Sequence, residues 1–310
     1  MAQMPVNVVR STHVWNCNRR MFSIDTEQMR LQLEVVPVRW LSKHEEIIHG
    51  KADQFMLEFR SCTNLKNPII VDNDHMVLDG HHRLFAFKRL QFNYIPVCKL
   101  DYHNECVQLR YWFRHLQNVN RGDFLNHLNE EMRGKIHELE SREELKQEIE
   151  KHRFPFGIQY GDRFALVNFP ETLVPDAVSA YRISEKLQNH LVERGARLRY
   201  VPCQSVFESE SYKGLKNDEV IICTPLISKE MVTEAVRMKK VFAPKTTRHL
   251  IPARPLNLNV PISWLKERTP LKDINKRFVE FLRKKKIKRF GPGQIINGRY
   301  YEEELFLFFD

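Results

Sequence analysis

The chain of 310 residues is 42% hydrophobic and 28% charged, which suits two folded domains and excludes an intrinsically disordered protein. Its net charge is +10, and a net +8 falls between residues 266 and 290, where eleven Lys or Arg residues outnumber three acids. No run approaches the roughly 18 apolar residues of a membrane-spanning helix, and the first 20 residues lack the apolar core of an export signal. Six cysteines without paired or metal-type spacing indicate a reducing compartment, so we expect a cytoplasmic protein without membrane association.

Hydrophobic periodicity predicts a compact α/β unit in the first third of the chain. Residues 1–28 show little periodicity and are predicted to form an irregular lead-in, and an alternating run at 31–35 predicts the first strand. The elements predicted after it are a helix at 51–60, a strand at 67–71, a hairpin turn at 72–74, a strand at 76–78, a helix at 81–90 and a strand at 94–100.

A second α/β pattern follows a polar, helical stretch at 121–151, which we interpret as a link between domains. The elements predicted there are a strand at 164–167, a helix at 176–194 ended by Gly195, strands at 198–201 and 220–223, and a helix at 228–240. The basic tail predicts one helix with Phe278, Phe281 and Leu282 on a single face, which suggests docking on the body or on a partner subunit. A basic tail can also bind nucleic acid or acidic partners, but a solvated helix face is the more common explanation.

The most informative motif is Asp79-Gly80-His81-His82-Arg83, which connects a predicted strand to a predicted helix. Free N–H groups and the helix dipole at a helix N-terminus attract phosphate, and Gly80 lets the backbone approach an anion closely. Asp79 adds a carboxylate that a phosphate-bound Mg²⁺ needs. A solvated basic cap is the simpler alternative, but the density of polar groups favours a phosphate site.

Two further segments carry candidate chemistry. Pro244-Lys245-Thr246-Thr247-Arg248-His249 offers cationic and hydroxyl donors in sequence, which suits an anion, although a basic surface loop would look similar. Glu45 follows the first predicted strand and is a candidate general base for a hydroxyl group.

Together these segments resemble the free serine kinases built on a ParB/sulfiredoxin-like domain, known from archaea and from a siderophore pathway. In that family a His-Glu pair follows the first strand, Asp-Gly-His-His-Arg opens a helix, and Pro-Lys-(Ser/Thr)-Thr-Arg-His closes the second domain. The resemblance extends from about residue 31 to 252, and an aromatic next to the substrate in the family matches Trp112.

The resemblance implies a kinase that phosphorylates the hydroxyl of free L-serine with ATP or ADP and Mg²⁺, giving O-phospho-L-serine for amino-acid or siderophore-type biosynthesis. Glu45 and Asp79 would be catalytic, with Asp79 also beside the metal. Nucleotide contacts would come from Gly80, His81, His82 and Arg83. Substrate contacts would come from Trp112, Lys245, Thr246, Thr247, Arg248 and His249.

The implied architecture is a mixed α/β (α+β) fold with the active site in a cleft between two domains. The expected divisions are the lead-in at 1–28, a ParB/sulfiredoxin-like nucleotide-binding domain at 29–118, a second α/β substrate-binding domain at 119–265 and a basic C-terminal extension at 266–310. The expected partners are L-serine and an adenine nucleotide, without nucleic acid or membrane, in a monomer or homodimer.

Two alternatives stay open at this point. A ParB-like, nucleotide-dependent DNA-binding protein would need a helix-turn-helix after the first domain, and a kinase of another small hydroxy amino acid would use the same motifs. A sulfiredoxin is excluded because His81 stands where its nucleophilic cysteine would be.

Overall fold

The computed structural model describes residues 21–202 and 215–310, which fall into two compact units. Unit 1 combines the described residues up to Gln108 with His249–Asp310, and unit 2 is Leu109–Arg248. The predicted divisions after residues 118 and 265 differ from these unit boundaries. The C-terminal segment is part of unit 1 because its apolar side chains are buried there, including Phe278 and Leu305.

The secondary structure is numbered along the chain. The strands are β1 (Phe22–Asp25), β2 (Arg30–Pro37), β3 (Ser42–Lys43), β4 (Asn64–Leu65), β5 (Ile69–Val71), β6 (Met76–Asp79), β7 (Tyr94–Lys99), β8 (Gln108–Gln117), β9 (Lys135–Leu139), β10 (Phe156–Tyr160), β11 (Arg163–Asn168), β12 (Arg197–Pro202), β13 (Val220–Cys223), β14 (Thr247–Leu250), β15 (Ala253–Leu256), β16 (Val260–Pro261), β17 (Lys286–Phe290), β18 (Gln294–Ile296), β19 (Arg299–Tyr301) and β20 (Glu304–Phe309). The helices are α1 (His49–Ser61), α2 (His81–Arg89), α3 (Arg121–Asn126), α4 (Arg142–Lys151), α5 (Ala177–Glu193), α6 (Lys229–Arg237), α7 (Ile262–Lys266) and α8 (Leu271–Arg283), with a 3₁₀ turn at Val38–Trp40 and a π-helical turn at His127–Glu131. None of the described helices combines the length and apolar composition needed to cross a bilayer.

The main sheet of unit 1 has the strand order β1-β2-β7-β5-β6-β3. The predicted hairpin is confirmed, since β5 and β6 are antiparallel and Asp72 Oδ1 accepts hydrogen bonds from the N–H groups of Asp74 and Met76. At one edge, β3 lies parallel to β6. The predicted irregular lead-in is wrong from β1 onward, because alternating contacts with β2 bury Phe22 and Ile24. Residues 1–20 lie outside the described part of the chain.

The C-terminal segment adds a helix and a small sheet to unit 1. The amide of Asn275 in α8 exchanges two hydrogen bonds of 2.8 Å with the backbone of Val35 in β2. Burial of Phe278 and Leu282 confirms the prediction that this helix docks through its apolar face. Strand β20 lies between β15 and β17 in a three-stranded sheet, which the tail's sequence did not predict.

Unit 2 is built on a sheet with the order β12-β8-β13-β10-β11-β9, and β14 pairs with β8. The long predicted helix is confirmed as α5, capped by Asp176 and followed by Gly195 with a φ of 98°. The interpretation of 121–151 as a helical link is wrong, because strand β9 lies within it and pairs with β11. Only Ile136 and Leu139 of β9 are apolar, so this edge strand depends on pairing that a sequence pattern does not display.

Candidate functional site

The two predicted catalytic carboxylates lie at or just after the carboxyl ends of the neighbouring strands β3 and β6. The parallel register pairs Ser42 with Met76 and Lys43 with Val77. Glu45 lies two residues after the end of β3, and Asp79 is the last residue of β6. Neighbouring strands are about 4.8 Å apart, so both residues lie at one edge of the sheet.

Gly80 forms the turn between this edge and helix α2. Its φ is 108°, in the left-handed region that favours glycine, and it is the N-cap residue of α2. A Cβ atom at this position would lie 3.0 Å from Arg83 Nη2 and 3.0 Å from Ile69 Cγ1. No side chain caps the helix, so the backbone donors of its first turn are suited to an anion.

Two guanidinium groups hold the carboxylate of Asp79. Arg254 Nη1 lies 2.5 Å and Arg83 Nη2 3.4 Å from Asp79 Oδ2, and Arg254 Nε donates to Glu303 Oε1 at 2.6 Å. Burial alone would raise the pKa of Asp79, but the charges of the arginines outweigh burial and hold that pKa well below its usual range. Asp79 is therefore ionised and fixed in orientation throughout the physiological pH range.

A cluster of imidazoles lies beside the same strand ends. The His44 ring packs edge-on against the rings of His81 and His249, with centroids 4.6 and 5.2 Å apart. His44 Nδ1 donates to the Val77 carbonyl at 2.8 Å. His249 Nδ1 donates to the carbonyl of Leu78, which leaves its Nε2 to accept from the hydroxyl of Tyr102 at 3.0 Å.

Burial keeps the rings of His44 and His81 neutral. It lowers the pKa of His44 to about 4, partly offset by the hydrogen bond to Val77. Burial, reinforced by the electrostatic interaction with His44, also places the pKa of His81 well below its usual value. His81 Nε2 is buried without a hydrogen-bond partner, so the cluster contains an orphaned polar atom next to the N-terminus of α2.

The remaining two residues of the motif have different roles. His82 Nε2 accepts a 3.4 Å hydrogen bond from the Ile48 backbone. Arg83 Nη1 donates to the carbonyls of Asn67 and Pro68 at 2.9 and 2.6 Å, in addition to its contact with Asp79. The donors of Arg83 in this structure hold a loop and a carboxylate of the protein, and its contact with nucleotide phosphate stays a prediction.

In unit 2, the Trp112 side chain lies beside three other predicted substrate residues, Lys245, Thr247 and Arg248. Its Nε1 donates to the carbonyl of Thr247 at 3.0 Å. Lys245 Nζ lies 4.5 Å and Arg248 Cζ 5.7 Å from the centre of its ring. Lys245 has a φ of 60°, a strained conformation for a lysine and one that often marks a functional loop.

Thr246 differs from the prediction. Its side chain is fully buried, and its hydroxyl donates to the carbonyl of Ala243 at 2.7 Å. This hydroxyl stabilises the loop and is not exposed to a substrate, so Thr246 is a structural residue of the segment.

Sequence reasoning missed His44 and Arg254. His44 directly precedes Glu45, but nothing in the sequence predicts its burial. Arg254 was detectable as a single charged residue inside the apolar run 251–256, because a charge in a buried strand needs a partner. Its partner Glu303 is remote in sequence and carried no such signal.

Comparisons with known proteins support the resemblance found in the sequence. No protein-family model matches the chain. The chain is 26% identical over 245 residues to an ATP-dependent L-serine kinase of Staphylothermus marinus, covering 75% of this chain and 90% of that protein. It is 24% identical over 231 residues to the ADP-dependent L-serine kinase SerK of Thermococcus kodakarensis, covering 73% and 89%.

Two solved structures share the fold. A free serine kinase variant in complex with AMP matches with a TM-score of 0.63 and 20% identity, over 75% of this chain and 93% of that one. SbnI from Staphylococcus aureus, with a C-terminal truncation, matches with a TM-score of 0.63 and 18% identity, over 81% and 96%.

Part of the chain is also similar to a ParB-like protein of Sulfolobus acidocaldarius, 40% identical over 84 residues that cover 27% of this chain and 42% of that protein. The chain therefore resembles the free serine kinase family with a ParB-like domain, and its mixed α/β fold is confirmed. The DNA-binding alternative needed a helix-turn-helix after the first domain, but residues 121–151 hold strand β9 between α3 and α4.

Proposed function

We propose that this chain, as a relative of the free serine kinases, transfers a phosphoryl group from ATP or ADP to the hydroxyl of free L-serine. The serine oxygen attacks the terminal phosphorus, the bond to the bridging nucleotide oxygen breaks, and O-phospho-L-serine leaves with ADP or AMP. The observation that carries this proposal is that β3, which ends two residues before Glu45, lies parallel to β6, which ends at Asp79 directly before the N-terminus of α2.

Glu45 is the general base in this mechanism. Phosphoryl transfer requires mainly positioning and charge neutralisation, together with a residue that accepts the proton of the attacking hydroxyl. The carboxylate of Glu45 is partly buried, so it can be reached by a small substrate. Asp79 is less suited to this role, because two arginines already stabilise its charged form and weaken it as a base.

The first turn of α2 binds the nucleotide phosphates. Its backbone donors and the positive end of the helix dipole face an anion at the Gly80 turn. His81 and His82 lie at the same turn, and the orphaned Nε2 of His81 is suited to a polar ligand atom. Arg83 positions Asp79 and the loop at Asn67.

The residues present fit a Mg²⁺ ion carried by the nucleotide. Both arginine contacts of Asp79 are made through Oδ2, which leaves Oδ1 as a ligand atom. Mg²⁺ commonly combines one or two carboxylates with substrate phosphates and water. When bound, the ion would neutralise the charge that develops on the transferred phosphoryl group.

Trp112 and the residues beside its ring form the serine-binding element. Lys245 and Arg248 flank one aromatic ring and present two positive charges, which suits the carboxylate of an amino acid or the phosphate of the product. His249 continues this segment into unit 1, where it contacts Tyr102 and His44. The cleft between the predicted domains stays a prediction.

The cellular compartment, the pathway and the oligomeric state are part of the same proposal. Free thiols at Cys62, Cys98 and Cys106 suit a reducing cytoplasm. The product would enter amino-acid or siderophore-type biosynthesis, and the enzyme would act as a monomer or homodimer without nucleic acid.

A substrate panel tests the proposal. Purified protein is incubated with Mg²⁺, with ATP or ADP, and with L-serine, D-serine, L-threonine or L-homoserine, and the products are identified by mass spectrometry. We expect O-phospho-L-serine as the main product with one of the nucleotides. Preferential phosphorylation of another alcohol would support the alternative of a kinase for a different hydroxy amino acid.

A further inference from the structure

We propose that unit 2 contains a transition-metal site of the Zn²⁺ class, formed by His127, Glu131 and His190. One ligand atom from each residue lies within 4.8 Å of the others. None of the three belongs to the residues assigned above to phosphoryl transfer, so the inference is independent of the proposed function.

Two adjacent helical elements supply the ligands. His127 and Glu131 begin and end the π-helical turn, and His127 Nδ1 lies 2.8 Å from Glu131 Oε2. His190 is in the last turn of α5. The imidazole rings of His127 and His190 stack at 3.5 Å with an interplanar angle of 7°, so one ring would turn out of the stack to direct both in-plane nitrogen lone pairs at one ion. Single π-helical turns within helices are often found at functional sites.

An orphaned polar atom indicates that this cluster is more than a packing contact. His127 Nδ1 is buried and makes no hydrogen bond, although the carboxylate of Glu131 is nearby. The nitrogen is close to the carboxylate but outside hydrogen-bond geometry. Burying a nitrogen in this way costs free energy of folding unless a ligand binds it. A metal ion bound by both side chains would satisfy the nitrogen and the carboxylate together.

The electrostatics also suit a metal. The nearby cation Arg194 is paired with Asp123 at 3.8 Å, which offsets its repulsion of a metal. Glu131 is 62% exposed, so an ion can enter from solvent.

The ligand set selects the metal. Two imidazole nitrogens and one carboxylate are a common set of three protein ligands for Zn²⁺, with water in the fourth position. Mg²⁺ prefers oxygen ligands and would not compete well for this site. A bound Zn²⁺ would link the π-helical turn to α5 and stabilise unit 2.

The test uses the full-length, untagged chain after removal of metals with a chelator. Zn²⁺ is titrated by calorimetry, its stoichiometry is measured by elemental analysis, and Co²⁺ is substituted to read the coordination from its visible absorption. We expect one Zn²⁺ per chain, a tetrahedral Co²⁺ spectrum, and retention of binding in excess Mg²⁺.

Variants locate the binding. His127→Gln, His190→Gln and the exposed Glu131→Gln are each expected to weaken Zn²⁺ binding at least about ten-fold. Glu148→Gln is the matched control, because Glu148 and His152 form a similar pair at 3.1 Å that belongs to no three-ligand group among the described residues. Circular dichroism verifies that each variant is folded.

Three results would overturn the proposal. One is the absence of stoichiometric Zn²⁺ binding by the wild-type chain. Another is wild-type affinity in all three ligand variants. The third is loss of binding in His81→Gln with none in the ligand variants, which would move the metal to the imidazole cluster of unit 1.

Discussion

Arg254 is expected to be the main electrostatic support of the candidate active site, and its removal gives a measurable loss of stability. Its guanidinium is 8% exposed and contacts both Asp79 and Glu303. Arg254→Met leaves Asp79 with the longer contact to Arg83 and removes the ion pair of Glu303, which is 12% exposed. Breaking a buried ion pair by removing one partner costs about 3–5 kcal/mol.

Hydrogen exchange measures this cost in unit 1 alone. The amides of β5 and β6 report the free energy of opening of their sheet when closing is faster than exchange. The expected cost corresponds to exchange about 100- to 4,000-fold faster in Arg254→Met. Glu303→Gln keeps the pair between Arg254 and Asp79, so it should cost less, about 1–3 kcal/mol.

An exposed ion pair in the same unit is the matched control for the buried ion pairs of Arg254. Arg30 and Asp25 form an ion pair of 3.4 Å in the same unit, with the Arg30 side chain 50% exposed. Arg30→Met should cost at most about 1 kcal/mol. If Arg254→Met changed exchange no more than Arg30→Met, the assignment of Arg254 as a buried electrostatic support would be refuted.

Three further predictions follow from the same sites. His44 is buried with a pKa of about 4, so its neutral form stabilises the fold above pH 6.5, and this contribution declines by about 3 kcal/mol towards pH 4. In urea unfolding, His44→Gln should lose less stability than the wild type over this pH interval. Equal losses in the two proteins would contradict the burial argument. Burial raises the pKa of Asp72 to about 6, so protonation of Asp72 changes stability in the opposite direction over this interval. Because Asp72 is present in both proteins, its contribution cancels in the comparison. Arg248→Ala should raise the KM for serine with little change in nucleotide affinity, whereas the exposed Arg237→Ala should change neither, and a selective loss of nucleotide binding in Arg248→Ala would refute the substrate role. Truncation after residue 265 should destabilise unit 1 as measured by hydrogen exchange, because it removes α8, β20 and Glu303, and unchanged exchange in β2 would show that the tail does not support the sheet.

The sequence predicted the local elements better than the assembly of the chain. Helix α2, helix α5 and the hairpin at 72–74 follow from short-range signals such as Gly80 and Gly195, and the structure confirms them. The predicted domain divisions differ from the compact units because the C-terminal segment also makes contacts that are remote in sequence, such as Asn275 with Val35 and β16 with β4. Nothing in a local pattern specifies that β20 pairs with β17 and β15.

The candidate site shows the same limit. The motif from Asp79 to Arg83 identified the strand end and helix start, because glycine and charged residues at such a turn have a local physical cause. The inward role of Arg83 and the burial of Thr246 depend on tertiary contacts with Asn67 and Ala243. Such contacts decide whether a polar side chain faces a ligand or the protein.

The most direct test of the central claim is the rate of O-phospho-L-serine formation by the wild-type chain and by Glu45→Gln. Both proteins are mixed with saturating L-serine, Mg²⁺ and the preferred nucleotide, and the product is measured by ³¹P nuclear magnetic resonance. The kinase mechanism predicts phosphoserine from the wild type, a rate about 10²–10⁴-fold lower for Glu45→Gln, and an unchanged dissociation constant for the nucleotide. Absence of phosphoserine with either nucleotide would contradict the proposed activity, and a near-normal rate for Glu45→Gln would contradict the assignment of the base.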